Sequence, residues 1–371
     1  ANTHPGPNWQ AREASTKLVE NTLSWIKGSH SVQLGGSWTR VDLWQKNQSF
    51  APTVTFWVHP NDPAEAMFTQ GNFPGASTAQ LNDARELYAT LVGRVNAVTA
   101  NARLDEETDE YQFLGLGTVR PRMHELGLFA HDSWRMNPNL TVNFGLRYEL
   151  QLPFHARNNA YSYATLEDVF GVSGVGNLFK PGVMTGRPPQ FIPFEKGTHA
   201  YTTDRNNFAP NLGVAWTPNA KSGLFQRILG AEGDSVFRAG YSLAYNRPGT
   251  NSFSGEIDDN PGVVIDVNRD LTLGNLGPLP LLFRNRDRLT PPAFPLRRQY
   301  PLTDVITADV HIFDPKLNVP YAQTWTAGWQ RKITRDTAVE VRYVGTRHLG
   351  QWEEHNFNEI NLIENGFLDE F

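Results

Sequence analysis

Side chains able to do chemistry are spread thinly along this chain of 371 residues. The densest set of metal-ligating types is His348 with Glu353, Glu354 and His355. Imidazole and carboxylate are ligands that zinc takes, yet a solvated strand-to-loop segment accounts for the same four residues without a metal. The run Asp105-Glu106-Glu107-Thr108-Asp109-Glu110 offers five carboxylates but lacks the glycine-assisted spacing and carbonyl ligands of a calcium loop, so it reads as a solvated loop. Asp258 and Asp259 are adjacent carboxylates in loop sequence with no identifiable partner. No H-E-x-x-H, G-x-S-x-G or Walker loop occurs, and the glycines at 171, 174 and 176 have neither the spacing nor the strand-to-helix context of a dinucleotide fingerprint. No catalytic residue, cofactor or metal site is expected, and an enzyme is not the expected class.

Residues suited to recognition are a different matter, and they fall in two proline-bearing stretches, 153–205 and 248–318. The first carries Tyr161, Tyr163, Phe191 and Phe194; the second carries Phe283 together with Arg284, Arg286 and Arg288. Aromatic faces stack on sugar rings or planar chelates, and guanidinium groups pair with anions. For any one of these arginines the plainer reading is a solvated loop charge. Loops this long are usually functional or disordered, and side chains on them are available for contact only if a rigid scaffold holds them.

The scaffold is legible between Leu126 and Leu152. Leu140, Val142, Phe144, Leu146, Tyr148 and Leu150 alternate with Thr141, Asn143, Gly145, Arg147 and Glu149, the period of a β-strand with one apolar and one wet face. Residues 135–139, with Pro138 and two Asn, reverse the chain into a hairpin. A soluble sheet would hide its apolar face. Here the other face carries Arg147 and Glu149, and Trp134 and Tyr148 lie near the strand ends, a pattern that suits lipid outside and water inside. Val142, Phe144, Leu146 and Tyr148 are expected to face lipid.

Further strands are expected at 18–27 and 31–44 around Gly28-Ser29-His30, at 50–58, 93–103 and 111–134, at 206–217 and 235–247, and at 319–333 paired with 336–348 across Thr334-Arg335. Residues 77–93 break the pattern: Leu81, Ala84, Leu87, Tyr88 and Leu91 recur at helical spacing, and Ser77 with Gln80 has the form of a capping box. The tail beyond 350 drifts toward helical spacing. If 28–30, 135–139 and 334–335 are the short turns of a bacterial barrel they are periplasmic, and 153–205 and 248–318 are extracellular. Counting strands then places the helix on the periplasmic side and gives ten strands, provided 111–134 is one strand; a break near Pro121 would invert everything upstream.

Composition agrees. Hydrophobic residues make up 39% and aromatics 12%, with 31 Gly and 25 Pro, favouring strands, turns and long loops. Mean hydropathy is −0.45 and no apolar run reaches helix-spanning length. A net charge of −5 recommends no nucleic-acid partner, and the absence of cysteine removes disulfides, thiol catalysis and thiolate metal sites. The opening ANTHPGPNWQ has neither the charged nor the apolar region of a signal peptide, so the chain is expected to be a piece of a longer exported precursor.

DSWRMNPNLTVNFGLRYE (132–149) resembles the barrel hairpin of TonB-dependent outer-membrane receptors, in particular the Oar-like group with a carboxypeptidase-regulatory-like amino-terminal domain. NNFAPNLGVAWTPN (206–219), VFRAGYSLAYNRPG (236–249), FDPKLNVPYAQTWTAGWQRKITRDTAVEVRYVGTRHLG (313–350) and NEINLIENGFLDEF (358–371) are similar to further segments of that family, in its order. The resemblance implies an all-β fold, with residues 1–371 a partial transmembrane barrel in the outer membrane of a Gram-negative-type bacterium. It also implies that the signal peptide, accessory domain and plug lie outside these residues. Its partners would be membrane lipid, the TonB system acting through that plug, and an extracellular ligand such as a glycan or metal chelate. A soluble, secreted β-rich carbohydrate-binding or hydrolytic protein is the alternative.

Overall fold

The computed structural model describes residues 8–177, 180, 182–219, 222–247, 249, 252, 257, 260–302 and 309–357. Asp258, Asp259 and the segment 358–371 lie outside them. Eight strands follow one another in a single antiparallel meander: β1 (Asn8–Lys27), β2 (His30–Ser49), β3 (Pro121–Asn137), β4 (Leu140–Gln151), β5 (Phe208–Trp216), β6 (Ser235–Tyr245), β7 (Tyr321–Lys332) and β8 (Ala338–Leu349). Each pairs with its successor in the chain. Two short strands, Gly117–Val119 on β2 and His155–Ala156 on β3, make the sheet ten-stranded.

At one end the connections between strand pairs are short. Gly28, at φ +59°, turns β1 into β2, where a side chain would be strained. Pro138 and Asn139 join β3 to β4 after a bulge between Arg135 and Asn137. β7 reaches β8 through 333–337, and β5 reaches β6 through a connection containing the helix Gly223–Leu229. At the opposite end the chain makes three excursions, 50–120, 152–207 and 246–320.

The first excursion corrects the expected membership of the sheet. The strands expected at 50–58 and 93–103 do not join the wall; they shorten to Thr53–Phe56, Val95–Thr99 and Asn101–Leu104 in two small side sheets. Four or five residues fall well short of the roughly 9–11 a tilted membrane strand needs. Their apolar residues instead bury locally: Val54 and Phe56 pack with Val95, Val98, Leu276 and Leu281. The run 111–134 is also broken. Asp109 at φ +56° lies in the turn that folds Tyr111–Phe113 back onto Asn101–Leu104, Leu114 at φ +52° follows that strand, and β3 begins at Pro121, which cannot donate to a ladder. This break does not invert the upstream strands, because both short strands leave the wall together. The helix therefore lies at the long-loop end, not the short-turn end.

That helix forms as its sequence dictates, over Thr78–Val92. The Ser77 hydroxyl accepts from Gln80 N at 3.3 Å, the Gln80 side chain accepts from Ser77 N at 2.8 Å, and Gly93 closes the helix at φ +75°. Ala89 is buried against Val58, Ala64 and Phe68.

The wall has one apolar and one polar face. Leu34, Leu128, Phe144, Leu146 and Leu212 stand about half exposed on the first, and Val142 and Tyr148 share it. Two rows of rings border it. Near the short turns Trp216, Phe237 and Trp329 adjoin across β5, β6 and β7, with centroids 5.6 and 6.2 Å apart. Near the long loops Tyr148 meets Phe208 at 5.0 Å and Tyr245 meets Tyr321 at 5.8 Å. Phe208 and Trp216, Phe237 and Tyr245, and Tyr321 and Trp329 are each eight residues apart on one strand. Eight residues span about 27 Å, or about 21 Å at a tilt of about 40°, the scale of a barrel's apolar band. Among the described residues the outer edges of β1 and β8 pair with nothing, so the wall is open.

Candidate functional site

The three excursions fold together into a cap over the long-loop end of the polar face. Val264–Asp266 adds to Asn101–Leu104, bridges join Arg94 to Leu282 and Phe191 to Leu302, and Tyr161–Tyr163 pairs with Ile192–Phe194. The largest apolar cluster gathers Met123 of β3 with Phe154, Tyr161, Phe194, Ile257 and Phe313, sealed by Tyr201 and Trp352. Buried Asn260 stitches two segments, donating to His311 O at 2.8 Å and accepting from His311 N at 2.8 Å. Backbone groups in an apolar cap need such partners, since an unmet buried amide costs about 1–3 kcal/mol.

The acidic run is used for fastening. Asp105 accepts from Thr108 N at 2.9 Å, which folds the run on itself and, as the first cause, holds the Asp105 carboxyl below its ordinary range. Glu106 pairs with Arg120 at 2.7 Å, Asp109 with Arg298 at 2.9 Å and Glu110 with Arg297 at 2.9 Å. Tyr111 follows, its hydroxyl donating to Gly262 O at 2.8 Å and pushed up to about 12 chiefly by burial. Among the described residues no cluster of metal-ligating side chains occurs; His348, Glu353, Glu354 and His355 are exposed on the strand end and the segment beyond it.

The recognition candidates separate into two groups. Tyr161, Phe191 and Phe194 are fully buried, and Tyr163 packs half-buried on Phe194 at 5.8 Å. Burial gives Tyr161, Phe191 and Phe194 a packing role, with no face open to a ligand. Arg288 is turned inward to donate to Pro280 O at 3.3 Å and Leu276 O at 3.4 Å, tying its own loop. Phe283, Arg284 and Arg286 remain at the surface; Phe283 is 49% exposed and meets the edge of Phe56 at 5.6 Å. The structure thus groups one aromatic with two guanidinium groups on the outside of the cap.

Under the cap the polar face of the wall carries charge. Arg147 Nε binds Glu149 at 2.6 Å and Arg147 Nη2 donates to Ser37 Oγ at 3.2 Å, while Arg247 reaches Glu125 at 2.7 Å. Gly127 makes room for this: a Cβ there would overlap the Arg147 guanidinium. Sequence alternation placed Arg147 and Glu149 on this face but did not show Ser37, which arrives from β2.

A second charged group is not evident from sequence alone. Beyond Trp38 on the apolar side of the sheet, Arg40 and Asp42 of β2 continue the same alternation. Asp42 is bound by Arg40 at 2.8 Å, Arg122 at 2.5 Å and Arg157 at 3.7 Å. The pattern R-V-D at 40–42 was its signal, two charges facing one way on β2, and only the pairing register brings Arg122 of β3 to Asp42. Beside it His124, His155 and His199 adjoin, with centroids 5.8 and 5.5 Å apart. Burial first, then His199, His124, Arg122 and Arg157, push His155 down to about 4.

An open antiparallel wall with ring rows on one face and a polar opposite face is barrel architecture, and comparison with known families decides the matter. The model of the outer membrane beta barrel domain matches residues 2–367. The chain belongs to that family. Its place is accordingly the bacterial outer membrane, in contact with lipid. Among the described residues no helix is long and apolar enough to cross a membrane. No curated protein matches the sequence. Solved structures similar to it include the copper transporter OprC, with 10% identity and a TM-score of 0.36, over 89% of this chain and 29% of that one. The outer membrane transporter YddB from Escherichia coli gives 12%, 0.37, 90% and 25% in the same order. The ferric-catecholate import receptor Fiu from E. coli K12 gives 12%, 0.31, 91% and 31%. The chain spans about a third or less of the length of each of these proteins.

Proposed function

We propose that this chain is the wall and outer cap of a TonB-dependent receptor of the Oar-like group, taking up a large nutrient such as a glycan or metal chelate. In that reading the short-turn end is periplasmic, the cap is extracellular, and the TonB system acts through a plug that other residues of the receptor supply. No enzymatic step is assigned to the chain. The observation that carries the reading is the pairing of a membrane-scaled wall with a cap that has its own buried core. A cap merely closing a barrel would not need ring-lined cores, fastened carboxylates and an exposed aromatic-arginine patch. Phe283, Arg284 and Arg286 are the first contacts proposed for the ligand, the ring for a planar or sugar face and the guanidiniums for anionic groups. Tyr161, Tyr163, Phe191, Phe194 and Arg288 would act by holding that patch in place.

The test is the triple substitution Phe283→Ala, Arg284→Gln, Arg286→Gln in the complete receptor. Ligand-dependent growth is expected to need about tenfold or more ligand, while the heat-modifiable gel mobility of the folded barrel stays as in the parent. Unchanged uptake would move recognition away from this patch, most directly to the plug.

A further inference from the structure

On the outer side of β1 and β2, above the long-loop ring row, a cleft of about 340 Å³ is lined by Lys17, Arg40, Arg120 and Arg157 with Asp42 and Trp44 among its walls. Register fixes which way it faces. Lys17 lies opposite Arg40, Ser15 opposite Asp42 and Val19 opposite Trp38, so these residues share the face that carries Leu34 and Leu128. Trp38 is partly exposed and stacks on His124 at 5.8 Å. Arg40 is the next residue on that face, about 7 Å further along the strand and roughly 5 Å higher once tilt is allowed for. The cleft therefore stands just above the apolar band, at the level of lipid headgroups.

Its charge is unbalanced. The lining includes four cationic side chains and two carboxylates, Glu13 and Asp42; Glu106 beside it answers Arg120, and Asp42 is already shared among three guanidiniums, so the cleft stays net positive. Two buried donors in the lining, Trp44 Nε1 and Arg120 Nε, have no acceptor among the described residues. Excess positive charge together with unanswered donors calls for an acceptor-rich anion, and planar guanidiniums suit the oxygens of a phosphate.

We infer that this cleft is a binding site for the phosphate-bearing headgroup of a net-anionic outer-leaflet lipid. The lipid source follows from position. The cleft opens on the lipid-facing side, and Val19, Leu23, Leu34 and Leu128 lie on the same face below it, where acyl chains would run. A free phosphate would use the charge but not that apolar surface. The bound headgroup would tie the cap to the membrane, since Arg40 belongs to the wall and Arg120 and Arg157 to the chain entering the cap.

The complete receptor, reconstituted in phosphatidylcholine with and without phosphatidic acid, provides the test through native mass spectrometry of retained lipid. Parent protein should retain phosphatidic acid, and the variant K17Q/R40Q/R157Q should retain at least about tenfold less, with phosphatidylcholine retention unchanged. Because that variant leaves Asp42 with fewer partners, E13Q serves as a second probe: it adds net positive charge without touching an arginine pair and should raise retention. Equal phosphatidic acid retention by parent and E13Q would overturn the inference. So would parallel loss of phosphatidylcholine, or displacement of phosphatidic acid by inorganic phosphate at comparable concentration, which would show a small-anion site.

Discussion

The wall and the cap solve the same problem with opposite materials. Both must satisfy every backbone amide and hide apolar surface from water. The wall satisfies its amides strand to strand and hides its apolar face in lipid, so Phe144 and Leu146 are exposed in the protein yet dry in the membrane. The cap has no lipid to use. It buries Phe154, Tyr161, Phe191 and Phe194 against one another and recruits side chains such as Asn260 and Arg288 to answer stray carbonyls. An aromatic residue thus has different meanings in the two regions: in the wall it marks an interface, and in the cap it marks a core.

The comparison breaks most readily in the cap. Phe194→Ala is expected to cost about 3–5 kcal/mol, the range for emptying a buried aromatic site. Limited proteolysis should then cut within 152–207 and 246–320 while the wall hairpins stay protected. If β4 or β5 is cleaved at the same rate, the two regions are one cooperative unit and the distinction fails.

A smaller effect is expected from charging the wall. Phe144→Arg places a cation near the middle of the apolar band and should cost about 2–4 kcal/mol in a urea titration of the complete receptor in vesicles. Asn143→Arg, on the polar face of the same strand, should cost under about 1 kcal/mol by comparison. Equal costs would mean that β4 does not present one face to lipid.

The smallest effect sharpens the boundary between the regions. His155 sits where the cap meets β3, and its pKa in the folded protein is lowered to about 4 from an ordinary 6.5, by burial before any neighbouring charge. Between those values the unfolded chain binds a proton that the folded chain refuses, so stability falls as pH drops from about 6.5 to about 4 and is fully present above it. Solvent screening limits the loss to about 1 kcal/mol. Protection factors of the amides at 153–157, taken relative to intrinsic exchange at each pH, should fall over that window in the parent and not in His155→Gln. An unchanged pH dependence in the variant would assign the effect to other groups.

How far the sequence could be read depended on which of these materials a segment used. Alternation at 140–150 fixed the β4 faces, because a period of two admits one arrangement when one face must be apolar. The helix at Thr78–Val92 was legible from Ser77 and Gln80, whose capping bonds are local. The segments 50–58 and 93–103 read as wall strands because alternation reports that a face is dry without saying what dries it. Lipid and a folded loop write the same pattern over four residues. The recognition residues met the same limit: Tyr161, Phe194 and Phe283 look alike in sequence, and only the packing of distant excursions buries two of them and leaves the third outside.

By itself, then, the sequence determined the repeating units: the strand faces, the tight turns, the helix caps and the eight-residue spacing of rings that scales the wall to a membrane. All of these arise from interactions within about ten residues, or from a solvent that is uniform along the strand. Tertiary structure alone decided which strands form the wall, which aromatics are buried, and that Arg122 and Arg157 join Arg40 on Asp42. Those outcomes depend on strand register and on contacts between 50–120, 152–207 and 246–320, separations over which local pattern carries no information.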